Sequence, residues 1–171
     1  MTEVTSHRKE STTALVEKEG KYLTFALGNE EFGLEILKVR EIIGYIDVTA
    51  VPQTPHHVKG VINLRGQVIP VIDLRAKFGM EAVEVTEQSC IIVVEIIEDS
   101  RKCCVGIIVD RVQEVLDIAA QDIEEPPQFG ATVSTDFILG MGKIGNSVKI
   151  LLDIDRVVGA GDLATLSGGL T

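Results

Sequence analysis

The feature that most constrains the fold is an internal repeat. Phe32-Gly33-Leu34-Glu35-Ile36-Leu37-Lys38-Val39-Arg40-Glu41-Ile42-Ile43 is echoed by Val105-Gly106-Ile107-Ile108-Val109-Asp110-Arg111-Val112-Gln113-Glu114-Val115-Leu116. Gly33 aligns with Gly106, Val39 with Val112 and Glu41 with Glu114, each pair 73 residues apart. A second echo, at a spacing of 80, aligns Gly60 with Gly140, Val68 with Val148, Asp73 with Asp153 and Gly79 with Gly159. Ordered matches in two blocks argue against chance resemblance among Val/Ile-rich strands. The chain therefore reads as two halves with one strand plan, residues 20–83 and 84–159, with exchange of strands between them left open. Residues 1–19 and 160–171 lack periodicity and read as flexible tails.

Within each half the apolar runs are short and separated by turn signals. Tyr22 to Leu27 and Phe32 to Ile36 flank Gly28-Asn29-Glu30-Glu31, and Val61 to Leu64 and Val68 to Ile72 flank Arg65-Gly66-Gln67. Ile91 to Ile97 and Cys103 to Val109 flank Glu98 to Lys102, and Ile138 to Ile144 and Val148 to Leu152 flank Gly145-Asn146-Ser147. The aliphatic residues are mostly Val, Ile and Leu, which suit a pleated surface. Five short strands per half predict a small closed barrel, an arrangement that leaves no open sheet edge. In both halves the last strand ends in Asp (Asp73, Asp153), followed by a brief helical pattern and then Gly (Gly79, Gly159), an N-cap and a C-terminal stop. Gly33, Gly60, Gly66 and Gly106 are expected at structural turns. The fold class is all-β, with a few short helices.

Candidate chemistry is sparse. Gly140-Met141-Gly142-Lys143-Ile144-Gly145 satisfies G-x-G-x-x-G, but it leads into the strand-like Val148 to Leu152, not into a helix whose amides could face a pyrophosphate. Glycines shaping a twisted hairpin are the better account. His7 and the adjacent His56-His57 lack metal-ligand spacing, as do Cys90 and the adjacent Cys103-Cys104. Adjacent cysteines in a strand face opposite ways. No G-x-S-x-G occurs, and the pairs Glu30-Glu31 and Glu124-Glu125 sit in turn-like contexts where solvation explains them. No catalytic, cofactor-binding or metal-binding residue is assigned, and no enzyme is expected. A net charge of −10 disfavours nucleic acid and anionic membrane surfaces. No apolar run spans a bilayer, the polar N-terminus carries no signal-like core, and the three cysteines fit reduced thiols in a cytoplasm.

What remains is a mixed-polarity constellation. Glu41 follows Val39 at the end of an amphipathic segment, and Arg65 stands at a hairpin tip. An arginine there is worth ordering when a carboxylate meets it; an exposed turn arginine is the alternative.

Gly28-Asn29-Glu30-Glu31-Phe32-Gly33 with Ile36-Leu37-Lys38-Val39-Arg40-Glu41-Ile42 resembles the opening motif of the CheW family. Gly60-Val61-Ile62-Asn63-Leu64-Arg65-Gly66 with Pro70-Val71-Ile72-Asp73-Leu74-Arg75 resembles its central signature, and Val105-Gly106-Ile107-Ile108-Val109-Asp110 with Val112 and Val115 its second-half counterpart. The resemblance runs from about Tyr22 to Val158. It implies two five-stranded SH3-like barrels packed on a shared apolar seam. It further implies a cytoplasmic adaptor that couples the cytoplasmic tips of methyl-accepting chemoreceptors to the regulatory domain of the histidine kinase CheA, in arrays associated with membrane receptors and without inserting into the membrane itself. A receptor helix would lie in the groove between the barrels, lined by Val39, Val112 and Val115, with Arg65 and Glu41 paired at its rim. The alternatives are an adaptor for a related kinase pathway such as surface motility, and a nucleotide-binding enzyme that uses the glycine-rich hairpin. Apolar strand-end residues also serve as core, so Val39 and Val112 carry that second reading.

Overall fold

The computed structural model describes residues 18–98, 100–126 and 135–159. The tails assigned to 1–19 and 160–171 lie outside them, apart from residues 18 and 19. Eleven strands are formed among the described residues: β1 (Gly20–Leu27), β2 (Glu30–Glu35), β3 (Val39–Gly44), β4 (Val58–Leu64), β5 (Gln67–Asp73), β6 (Cys90–Glu98), β7 (Arg101–Val109), β8 (Arg111–Ile118), β9 (Ile123–Glu124), β10 (Ile138–Ile144) and β11 (Ser147–Leu152). Two four-residue helices, α1 (Leu74–Lys77) and α2 (Ile154–Val157), follow β5 and β11.

Each tight hairpin is closed by a two-residue turn. Gly28-Asn29 joins β1 to β2 and Gly145-Asn146 joins β10 to β11, with glycine φ values of 61° and 59°. Between β4 and β5 both central residues have positive φ, Arg65 at 52° and Gly66 at 86°, the mirror-image turn whose twist matches that of its strands. The Asn63 carboxamide accepts the Gly66 N–H at 2.9 Å and helps hold Arg65 in this uncommon conformation.

The strands form two mixed sheets, a six-stranded sheet in the order β8-β1-β2-β11-β10-β9 and a five-stranded sheet in the order β3-β6-β7-β5-β4. The sixth strand is the two-residue β9. Hydrogen bonding crosses the line between residues 83 and 84. The β1–β2 hairpin lies with β8 to β11, and the β6–β7 hairpin lies with β3 to β5. Each incoming hairpin attaches by a parallel pairing, β2 to β11 and β7 to β5, while the other strand pairings among the described residues are antiparallel. These two junctions are repeat equivalents: Gly33 stands opposite Leu151, and Gly106 opposite Val71.

The exchange explains the burial. Three apolar clusters form among the described residues. One fills the five-stranded barrel around Ile62, Ile69, Val71, Ile91 and Val93, and one fills the six-stranded unit around Tyr22, Ile118, Ile123 and Leu151. The largest lies between the sheets and draws Leu23, Phe25, Phe32 and Leu34 from one and Ile92, Val94, Ile96 and Ile107 from the other. In β6, Ile91 and Val93 face the barrel interior while Ile92, Val94 and Ile96 face the seam, so a period-2 strand is apolar on both sides. The seam is thus a packed core, and only its margin reaches solvent.

Of the four glycines expected at turns, only Gly66 occupies one. Gly33, Gly60 and Gly106 lie inside strands, where a neighbour passes too close for a side chain. A Cβ on Gly33 would stand 2.8 Å from Leu151, one on Gly106 2.8 Å from Ile91, and one on Gly60 2.0 Å from the Thr49 carbonyl oxygen. The caps differ between the halves. Asp73 accepts the N–H groups of Arg75 and Ala76, and Gly79 has φ 72°, whereas Asp153 makes no such cap and Gly159 has no positive φ.

Candidate protein-docking site

The candidate residues lie on β3, β8 and the β4–β5 hairpin. β3 is an edge strand paired only with β6, and its register shifts between Val39 and Glu41, leaving Arg40 as a bulge. The bulge turns strand direction locally. Val39 is half-buried against the shared core, while the Glu41 carboxylate accepts Arg65 Nη2–H at 2.5 Å. β4 is the opposite edge of the same sheet. This ion pair therefore spans from one edge strand to the hairpin that carries the other. With the Arg65 side chain 71% exposed, such a pair contributes under about 1 kcal/mol. Its effect is to fix where a cation and a carboxylate stand.

β8 repeats the plan of β3. It is an edge strand with a register shift between Val112 and Val115, opposite Phe25 and Leu23. The extra residue is accommodated by the fully buried Thr24. Its hydroxyl donates to the Glu114 carbonyl at 2.7 Å and accepts the Glu114 N–H at 3.1 Å. Val112 packs half-buried on the shared core, like its repeat partner Val39, and Val115 is 48% exposed. The structure thus places Val39 and Val112 at the margin of one core, Val115 beside Val112 on β8, and joins Glu41 to Arg65.

Three further ion pairs escaped sequence reading. Arg75 on α1 grips Asp110 with Nε–H to Oδ1 at 2.8 Å and Nη2–H to Oδ2 at 2.5 Å, and Asp110 Oδ2 also accepts the Gly28 N–H at 2.7 Å. The Arg75 hydrogen bonds hold the Asp110 carboxyl below the usual range, and the same contact raises the Arg75 guanidinium. Lys38 donates to Asp155 at 2.7 Å, and Asp155 accepts the Ile97 N–H at 3.0 Å. Glu31 is not a solvated turn carboxylate but part of β2, where the buried Lys149 ammonium bonds it and pulls its carboxyl down. Burying an ammonium demands such a partner. No spacing along the chain signals these pairs, because each depends on which strands become neighbours.

The glycine-rich motif lies on β10 and its turn. A Cβ on Gly140 would meet Ile123 at 2.6 Å, and one on Gly142 would meet Ile118 at 3.2 Å. Cys103 packs on the shared core and Cys104 on the five-stranded barrel core, opposite faces of one strand. Among the described residues no group of three or more His, Cys, Asp and Glu could hold a metal ion. Nor is any helix there long and apolar enough to cross a membrane.

Two SH3-like barrels joined through one packed seam, each offering a bulged edge strand with a valine at the seam margin, define a two-barrel adaptor. The particular family follows from comparison with known proteins. The CheW-like domain profile matches residues 21–161, and the chain belongs to that family. It is 42% identical to chemotaxis protein CheW of Klebsiella aerogenes over 144 residues, covering 84% of each chain. It is 31% identical to chemotaxis protein CheW of Treponema pallidum over 166 residues, covering 95% of this chain and 96% of that one. The crystal structure of scaffolding protein TtCheW from Thermoanaerobacter tengcongensis matches with a TM-score of 0.75 at 36% identity, covering 84% of this chain and 95% of that one. The chain is a chemotaxis coupling adaptor.

Proposed function

We propose that this adaptor joins the cytoplasmic tip of a methyl-accepting chemoreceptor to the regulatory domain of the histidine kinase CheA, without catalysing a reaction itself, in the cytoplasm beneath membrane receptor arrays. The receptor helix lies along the seam margin, touching Val39 from one barrel and Val112 and Val115 from the other. An amphipathic helix needs apolar contacts at intervals of three and four residues. Repeat-equivalent valines, one per barrel, supply them on both sides of one core. The Glu41–Arg65 pair beside Val39 sets the register of polar contacts along the helix.

The carrying observation is that Val39 and Val112 are half-buried at the margin of the same core, each beside a bulge. Co-sedimentation with purified receptor fragment and CheA tests it. Val39→Glu and Arg65→Glu should each lower receptor binding at least about tenfold, a change of about 1.4 kcal/mol, while keeping the wild-type circular dichroism. Undiminished receptor binding by both folded variants overturns the assigned margin.

A further inference from the structure

Among the described residues the chain passes between the two sheets only twice, from β2 to β3 through residues 36–38 and from β7 to β8 at Asp110. Each crossing carries an ion pair to the short helix that ends the opposite arm of the repeat. At the first, Lys38 bonds Asp155 of α2 at 2.7 Å, and Asp155 accepts the Ile97 N–H near the tip of the β6–β7 hairpin at 3.0 Å. At the second, Asp110 takes the two-pronged grip of Arg75 from α1 and accepts the Gly28 N–H in the β1–β2 turn. Arg75 and Asp155 occupy equivalent places, 80 residues apart. The helix residues therefore match in position and oppose in charge, while the crossing residues stand one register apart, Lys38 aligning with Arg111 and Asp110 with Leu37. In both, one carboxylate binds a helix-to-crossing cation and a backbone N–H of an exchanged hairpin.

We infer that the two crossings form the hinge between the barrels and that the Lys38–Asp155 and Arg75–Asp110 pairs are the latches that hold it closed. The seam valines begin directly after them. Val39 follows Lys38, and Val112 stands two residues beyond Asp110. A latch released at either crossing frees the start of β3 or β8, so the latches act with the packed core in setting the separation of the two seam margins. Opposite polarity keeps the two from substituting for one another: Arg75 and Lys38 repel, as do Asp110 and Asp155, so each crossing accepts only its own helix. The Arg75 pair is the stronger lock, because its guanidinium makes two charge-assisted hydrogen bonds to one carboxylate where Lys38 makes one.

The consequence for receptor binding rests on the proposed function above, but the test does not. In a background with Cys90, Cys103 and Cys104 replaced, spin labels at Gln67→Cys and Asn146→Cys report the distance between the sheets by double electron–electron resonance. Asp110→Asn and Lys38→Met should each shift or broaden that distance distribution, and Lys38→Arg should return the parental one. Unchanged distributions in both neutralised variants overturn the hinge whether or not a receptor binds. Should a variant fail to fold, hydrogen exchange on the wild-type full chain decides. The Gly28 and Ile97 amides should exchange at least about tenfold more slowly than unprotected peptide, and exchange at the unprotected rate overturns the latches.

Discussion

Glu35 shows how one side chain can carry the charge balance of a crossing. It ends β2, and its burial pushes the carboxyl up, with Asp153 and Asp155 adding to the rise against the opposing pull of Lys38. The unfolded chain ionises this carboxyl first as pH rises. Glu35 therefore costs nothing below the ordinary carboxylate range, and stability is lost as pH climbs through its raised folded value. Glu35→Gln should be more stable than wild type at pH 7, and the difference should vanish near pH 4. Urea unfolding at the two pH values measures it. A gain of equal size at both would mean that ionisation is not its source. Asp110 has the opposite sign: its lowered folded value lends stability above the unfolded range that fades as pH falls.

At the scale of the element, the β4–β5 hairpin separates what its sequence announces from what only the fold supplies. Arg65-Gly66 between apolar runs reads directly as a tight turn, because positive φ is a local requirement. The need for glycine at Gly60 is invisible locally. It arises where β4 passes the Thr49 carbonyl, with φ 145° and a bulge at Lys59. Gly60→Ala should cost about 3–5 kcal/mol, combining backbone strain with overpacking. Gly66→Ala, with nothing within 4 Å of its Cβ position, should cost only about 1 kcal/mol. Chemical denaturation of both resolves the contrast, and equal costs would refute the close approach. The same division runs through the other elements. Four hairpins were legible from alternation and turn residues, as was the opposite facing of Cys103 and Cys104. The strand positions of Gly33 and Gly106, the two-residue β9 and the Glu31–Lys149 pair were not, because each is set by a neighbour far away in sequence. In the candidate site, Val39 and Val112 stood out as repeat equivalents, whereas the partner of Arg65 came only from family resemblance.

At the scale of the whole molecule, the repeat encodes two similar units but does not say which hairpin each unit keeps. Hydrogen bonding gives the β1–β2 hairpin to β8–β11 and the β6–β7 hairpin to β3–β5. A fragment of residues 20–83 would leave β3 without β6 and β5 without β7, and would uncover Leu23, Phe25, Phe32 and Leu34. A fragment of residues 84–159 would leave β8 without β1 and β11 without β2. Apolar burial stabilises by about 25 cal/mol per Å². Neither fragment retains the largest of the three clusters, so neither has enough apolar burial to offset the ordering of its chain. Each half expressed alone should lack the dispersed amide spectrum of a folded β protein, and mixing the two should restore it through the exchanged hairpins. The intact chain should unfold in one transition, since the shared core ties both sheets together. A half that folds alone, or two separated transitions in the intact chain, would mean that the seam is an interface between independent barrels and that hairpin exchange does not decide stability.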